Sequence, residues 1–208
     1  MLKMAQEKSL KWDEDRLLAA LSKENAVELR VMKALEDLTE PFTILVLIDA
    51  KDYAAAKRKI LERYGRDDEI IYITLNAGFP KIKHDFEREK RDYANIRFLD
   101  MVSVEAGERV VDDPNAVYIS SPSDLTDCMV NTERLLAAKE GKKVLVILDS
   151  ISTMLIYNNP SVVEKFTHTL LGKINAANAS AIVFSSDYEE RDAITSTIGQ
   201  FFDRTVKV

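Results

Sequence analysis

Residues 143–150 read Lys143-Val144-Leu145-Val146-Ile147-Leu148-Asp149-Ser150. Five consecutive aliphatic residues, bounded by lysines and by Asp-Ser, predict a strand buried on both faces. Such strands belong to parallel sheets, where ligands sit at the carboxyl ends. Asp149 stands at that end, where a carboxylate can reach a Mg²⁺ ion held against a phosphate. A phosphate site also needs a glycine-rich loop whose N–H groups wrap the oxygens, with a lysine behind it. The six glycines are at 65, 78, 107, 141, 172 and 199, and none lies where such a loop belongs.

Outward from this strand, apolar runs alternate with helical patterns. Thr43–Ile48, Ile70–Leu75, Ile96–Leu99, Ala116–Ile119, Ala181–Ser185 and Arg204–Val208 read as strands. Between them, 51–64, 79–93, 121–139, 160–174 and 187–202 read as helices, with Ser121 and Asn159 as caps and Pro122 and Pro160 at first positions. The alternation predicts an α/β fold: a mostly parallel central sheet of about seven strands with helices on both faces. Residues 1–40 differ. They hold no glycine, and Leu10, Leu17, Leu21 and Val31 belong to a helical apolar stripe that Pro41 stops. The chain therefore divides into a helical extension over 1–40 and an α/β domain over 41–208. An amphipathic extension must bury its stripe on its own domain, a second copy or another protein. Leu10, Leu17, Leu21 and Val31 are thus the candidate partner contacts.

Composition narrows the function classes. The chain has 208 residues, 46% hydrophobic and 31% charged, with net charge −6. That balance disfavours disorder, nucleic acid and anionic membranes as partners. The apolar runs are too short to span a bilayer. Met1–Leu10 is too polar for a secretory leader, and the single cysteine, Cys128, suits a reducing cytoplasm. Cys128 reads as a packed thiol, and His84 and His168 are too far apart for a metal pair. Ser150, Ser152, Ser185 and Ser186 lack a base partner, so serine hydrolysis is disfavoured.

Three stretches resemble the RecA-like ATPase core and, within it, the KaiC-like branch. Asn95–Asp100 looks like a strand ending in an apolar-Asp pair, and Val144–Thr153 (VLVILDSIST) like a Walker B strand with its serine-rich turn. Asp187–Val208, containing Phe201-Phe202-Asp203-Arg204-Thr205-Val206, looks like the terminal helix, aspartate and edge strand. The resemblance spans roughly 42–208 and implies a RecA-like P-loop fold that binds Mg·ATP. The departures are equally specific. Where the family carries Gly-x-x-x-x-Gly-Lys-Thr/Ser, this chain has Asp49-Ala50-Lys51-Asp52-Tyr53-Ala54. Lys51 is a remnant lysine at best, and Asp49 and Asp52 would repel a polyphosphate at the helix start. Leu75-Asn76-Ala77-Gly78 lacks the family's water-activating acids. The expectation is a pseudo-ATPase without cofactor or metal, acting in protein interaction, self-association or regulation. Asp149, Ser150 and Lys51 are the residual nucleotide candidates, with Asp149 a weak metal candidate. The alternatives are an unconventional Mg-nucleotide binder using Asp149, or a small-molecule or nucleic-acid sensor using the strand-end cleft.

Overall fold

A computed structural model of the chain describes residues 23–139, 141–186 and 192–208. Along the chain run α1 (Lys23–Ala34), β1 (Thr43–Ile48), α2 (Tyr53–Tyr64), β2 (Glu69–Thr74), α3 (Phe79–Arg88), β3 (Ile96–Asp100) and β4 (Ala116–Tyr118). There follow α4 (Leu125–Ala137), β5 (Val144–Asp149), α5 (Ile151–Tyr157), α6 (Pro160–Ala176), β6 (Ser180–Ser186), α7 (Asp192–Gly199) and β7 (Arg204–Lys207). The strands form one seven-stranded sheet in the order β4-β3-β2-β5-β6-β1-β7. Every pairing is parallel. This is the α/β architecture expected from the alternation of apolar runs and helices.

The sheet is covered on both faces, and strand parity sorts the side chains. Ile44, Val46, Ile70, Tyr72, Phe98, Leu145 and Ile147 pack beneath α1, α2 and α3. Leu45, Ile71, Ile73, Leu99, Val146 and Leu148 pack on the other face with α4, α5, α6 and α7. That explains why β1 and β5 carry no polar alternation: each side chain meets a helix layer. All six residues of β5 are buried. α1 is part of this packing. Val27, Val31 and Leu35 are buried against the same layer as α2 and β1. Val31, expected as a partner contact, is therefore corrected to a core residue of its own chain. Leu10, Leu17 and Leu21 lie outside the described residues.

Local chemistry moved several boundaries. α1 ends at Ala34, well before Pro41, and Asp37 takes a left-handed φ of 62° in the turn that follows. Ser121 caps nothing. α4 begins at Leu125, and Asp124 accepts from the Asp127 N–H at 3.1 Å, because a carboxylate is the stronger acceptor at a helix start. Pro160 does occupy the first turn of α6, after Asn159. The serine-rich turn after β5 proved to be a helix, α5, whose cap Ser150 accepts from the Thr153 N–H.

Candidate functional site

The carboxyl ends of β1, β2, β5 and β6 converge on Asp149, which is 1% exposed. Its Oδ2 accepts from the Tyr72 hydroxyl at 2.5 Å, and its Oδ1 accepts from the Asn76 amide. Asn76 in turn accepts from the Thr153 hydroxyl on α5. Tyr72 reaches Asp149 because its register partner on β5 is Ile147, two residues earlier on the same face. The Tyr53 hydroxyl, from the first residue of α2, is buried and points at the same carboxylate and the Tyr72 oxygen. It completes no hydrogen bond of good geometry there. Its ring stands edge-on to Phe184 of β6, with centroids 4.9 Å apart. Burial first, and the Asp149 charge second, push both phenols well above the ordinary tyrosine range. Both therefore remain hydrogen donors at neutral pH.

Lys51 does not join this group. Its ammonium pairs with Asp49 at 2.5 Å, in an exposed turn. The hydrogen bond between them lowers the Asp49 pKa and raises that of Lys51. Asp52 stands at the cap position of α2, but its side chain makes no cap hydrogen bond. Asp49 is thus committed to Lys51, and the Asp52 side chain leaves this helix start uncapped. Only residues 49–52 separate β1 from α2. Beside this turn a cleft of about 260 Å³ is lined by Ile48, Ala50, Tyr53, Asn76, Ser150 and Thr153, with Ser185 and Ser186 opposite. Its polar groups are neutral hydroxyls and one amide. Ser152 holds two of these residues: its hydroxyl lies 3.0 Å from that of Ser185 and accepts from the Ser186 N–H at 2.6 Å.

The other acidic positions are structural. Asp100 is wholly buried and accepts four hydrogen bonds, from the N–H groups of Phe79, Val102 and Ser103 and from the Ser103 hydroxyl. It thereby satisfies the first N–H of α3, a helix whose cap position is held by Gly78. Asp203 accepts from the Thr43 N–H at 2.7 Å and its hydroxyl at 2.9 Å, joining the start of β1 to that of β7. His84 and His168 are exposed on separate helices. Cys128 is buried, and desolvation pushes its thiol up to about 12. Among the described residues no group of three His, Cys, Asp or Glu side chains could hold a metal. No helix there is long and apolar enough to cross a membrane.

Sequence reasoning found Asp149 and missed its partners. The available signal was a tyrosine inside the aliphatic strand Glu69–Thr74, since a buried phenol requires an acceptor.

A family model matches residues 42–208, from the start of β1 to the end of the chain. The chain belongs to DUF7504, a family of unknown function. The DUF7504 match covers all seven strands and leaves α1 outside it. Among solved structures the chain is similar to a KaiC-like protein from the hyperthermophilic archaeon Pyrococcus horikoshii OT3, at 13% identity and TM-score 0.47. That match covers 72% of this chain and 62% of the archaeal one. No curated protein matches the chain.

Proposed function

We propose that this chain is a RecA/KaiC-like domain that does not hydrolyse nucleotide and acts as a protein-interaction or regulatory module. The observation that carries the reading is the state of Asp149. Both its oxygens are engaged, by Tyr72 and Asn76, and it is 1% exposed. Mg²⁺ demands octahedral oxygen ligation and keeps several waters, so it needs a carboxylate oxygen facing open space. Tyr53 occupies the helix start beside it, where a phosphate would otherwise gain from free N–H groups. A turn over 49–52 is too short to wrap a polyphosphate, and its lysine is held by Asp49. The residues present thus do not fit Mg·ATP.

An interaction role is favoured by apolar exposure at the α5–α6 junction. Ile156 is 67% exposed, Tyr157 45% and Val162 44%. Asn158 fixes this corner by donating to the Met154 and Pro122 carbonyls. Solvent-facing aliphatic and aromatic side chains gathered on an ordered corner suit a protein partner, a second copy of the chain included. Leu10, Leu17 and Leu21 remain further contacts under this reading. The test is light scattering of the purified chain, with and without ATP, alongside partner capture. A defined oligomer or complex that ignores ATP and is broken by Ile156→Asp supports the proposal. A strict monomer that captures no partner refutes it.

The neutral cleft at 260 Å³ favours one second reading, a sensor for a small uncharged ligand bound through Ser150, Thr153, Ser185 and Ser186. Binding of an uncharged nucleoside without Mg²⁺, localised to those residues by amide shifts, would favour it over the scaffold.

A further inference from the structure

At the end of the sheet opposite Asp149, a cavity of about 440 Å³ opens between the loops that lead into β1, β2, β5 and β6. Leu38, Pro41, Tyr64, Val144 and Leu145 supply its apolar lining, and Glu40, Lys143, Asn178 and Ser180 its polar one. Asp68 lines it and is 8% exposed. The backbone of Asp68 is pinned, its N–H donating to the Tyr64 carbonyl at 3.1 Å and its carbonyl accepting from the Asn95 amide at 2.7 Å. Its carboxylate has no hydrogen-bond or ion-pair partner among the described residues.

The cation of the lining, Lys143, favours the Asp68 carboxylate by its charge but forms its ion pair elsewhere. Lys143, also at the cavity, pairs with Glu40 at 2.5 Å and is 71% exposed. Ser180 uses its hydroxyl to accept from the Phe42 N–H at 3.2 Å. Burial first, and the Glu40 charge second, raise the Asp68 pKa; Lys143 opposes them and Asp67 adds to them. Asp68 is largely buried, and a carboxylate there without an ion pair gains from a counter-ion, because desolvation penalises its charged form. An anion is excluded by the surrounding carboxylates. A metal ion is disfavoured because the described residues offer no cluster of three ligating side chains. What fits is a cation whose stem is apolar, lying along Leu38, Pro41 and Val144 with its head at the carboxylate.

We propose that this cavity binds an organic cation, a primary ammonium or guanidinium on an aliphatic stem, with Asp68 as its counter-ion. The same chemistry could come from a free diamine or from a lysine or arginine side chain of a partner protein.

The experiment is amide-shift titration of the full chain with 1,5-diaminopentane, with a blocked Gly-Lys-Gly peptide, and with uncharged 1,5-pentanediol. The expected result is saturable shifts at residues 68, 143–145 and 178–180 with at least one of the two cationic probes, and none with the diol. Saturation by the diamine alone identifies a free amine as the ligand. Saturation by the peptide alone identifies a partner's side chain. Asp68→Asn keeps the shape, removes the buried charge, and should weaken binding at least tenfold. The diol control needs no variant, so the test survives if that substitution disturbs folding. Absence of saturable shifts with both cations at millimolar concentration overturns the proposal, as does equal binding of the diol or of Asp68→Asn.

Discussion

Tyr72→Phe isolates the bond on which the reading of Asp149 rests. Tyr72 and Asp149 are each 1% exposed, and the phenol donates at 2.5 Å. The substitution removes one oxygen, leaves no large cavity, and preserves the edge-on contact with Phe98 at 5.7 Å. Hydrogen bonds to charged groups contribute about 1.5–3 kcal/mol, and an abandoned buried carboxylate loses that in full. The unpartnered Tyr53 hydroxyl stands beside the same carboxylate and can rotate to replace the lost donor in part. The expected cost is therefore near the lower end, about 1.5–2 kcal/mol. In a chain of this size that is a fall in Tm of roughly 3–8 °C. Tyr53→Phe alone should cost under about 1 kcal/mol, since its hydroxyl makes no good bond. The double variant should exceed the sum of the singles by about 1 kcal/mol, because the substitute donor is gone. Urea denaturation followed by circular dichroism measures all three, compared at constant m-value. Tyr72→Phe within about 0.5 kcal/mol of the parent, the range of an ordinary surface change, would refute the reasoning. So would strict additivity.

Gly78→Ala should destabilise by about 1–3 kcal/mol, because its Cβ would lie 2.0 Å from the Ser103 hydroxyl, itself bonded to Asp100; an unchanged urea midpoint would contradict this. Asp203→Ala removes both acceptor contacts to Thr43 and should cost about 1–2 kcal/mol, read the same way. Cys128, with its thiol pushed up to about 12, should resist iodoacetamide at pH 8 in the folded chain and react only on unfolding; rapid labelling of the native protein, seen by mass spectrometry, would count against a packed role. Burial makes folded Asp68 hold its proton more tightly than the unfolded chain does, so its own contribution to stability should fall as pH rises from near the ordinary carboxylate value of 3.8 through the raised one, and level off above it. The difference between the parent and Asp68→Asn isolates this contribution, and a difference that does not change with pH across the window would contradict the assignment.

The sheet was legible because its strands are buried on both sides and so carry uninterrupted aliphatic runs, Val144–Leu148 above all. Strand-end chemistry was legible only residue by residue. Asp149 announced itself by following that run. Its partner Tyr72 is 77 positions away, and only the parallel register of β2 with β5 brings the two together. Helix α5 hid inside Ile151-Ser152-Thr153, whose serine and threonine favour turns until Ser150 caps them. Asp124 displaced Ser121 as a cap for an equally local reason: Ser121 is engaged with Glu105 and Ser123. Lys51 looked like a remnant phosphate ligand because its position fits, but a carboxylate two residues away claims it first. The cavity at Asp68 had no sequence signal, since it forms where loops distant along the chain meet.

Under the proposed function Asp149 serves as a buried hydrogen-bond acceptor and holds no Mg·nucleotide. Calorimetric titration of the full chain with ATP and Mg²⁺ tests it most directly. No saturable heat and no thermal shift are expected at millimolar nucleotide. Micromolar, Mg²⁺-dependent binding that Asp149→Asn abolishes would contradict it.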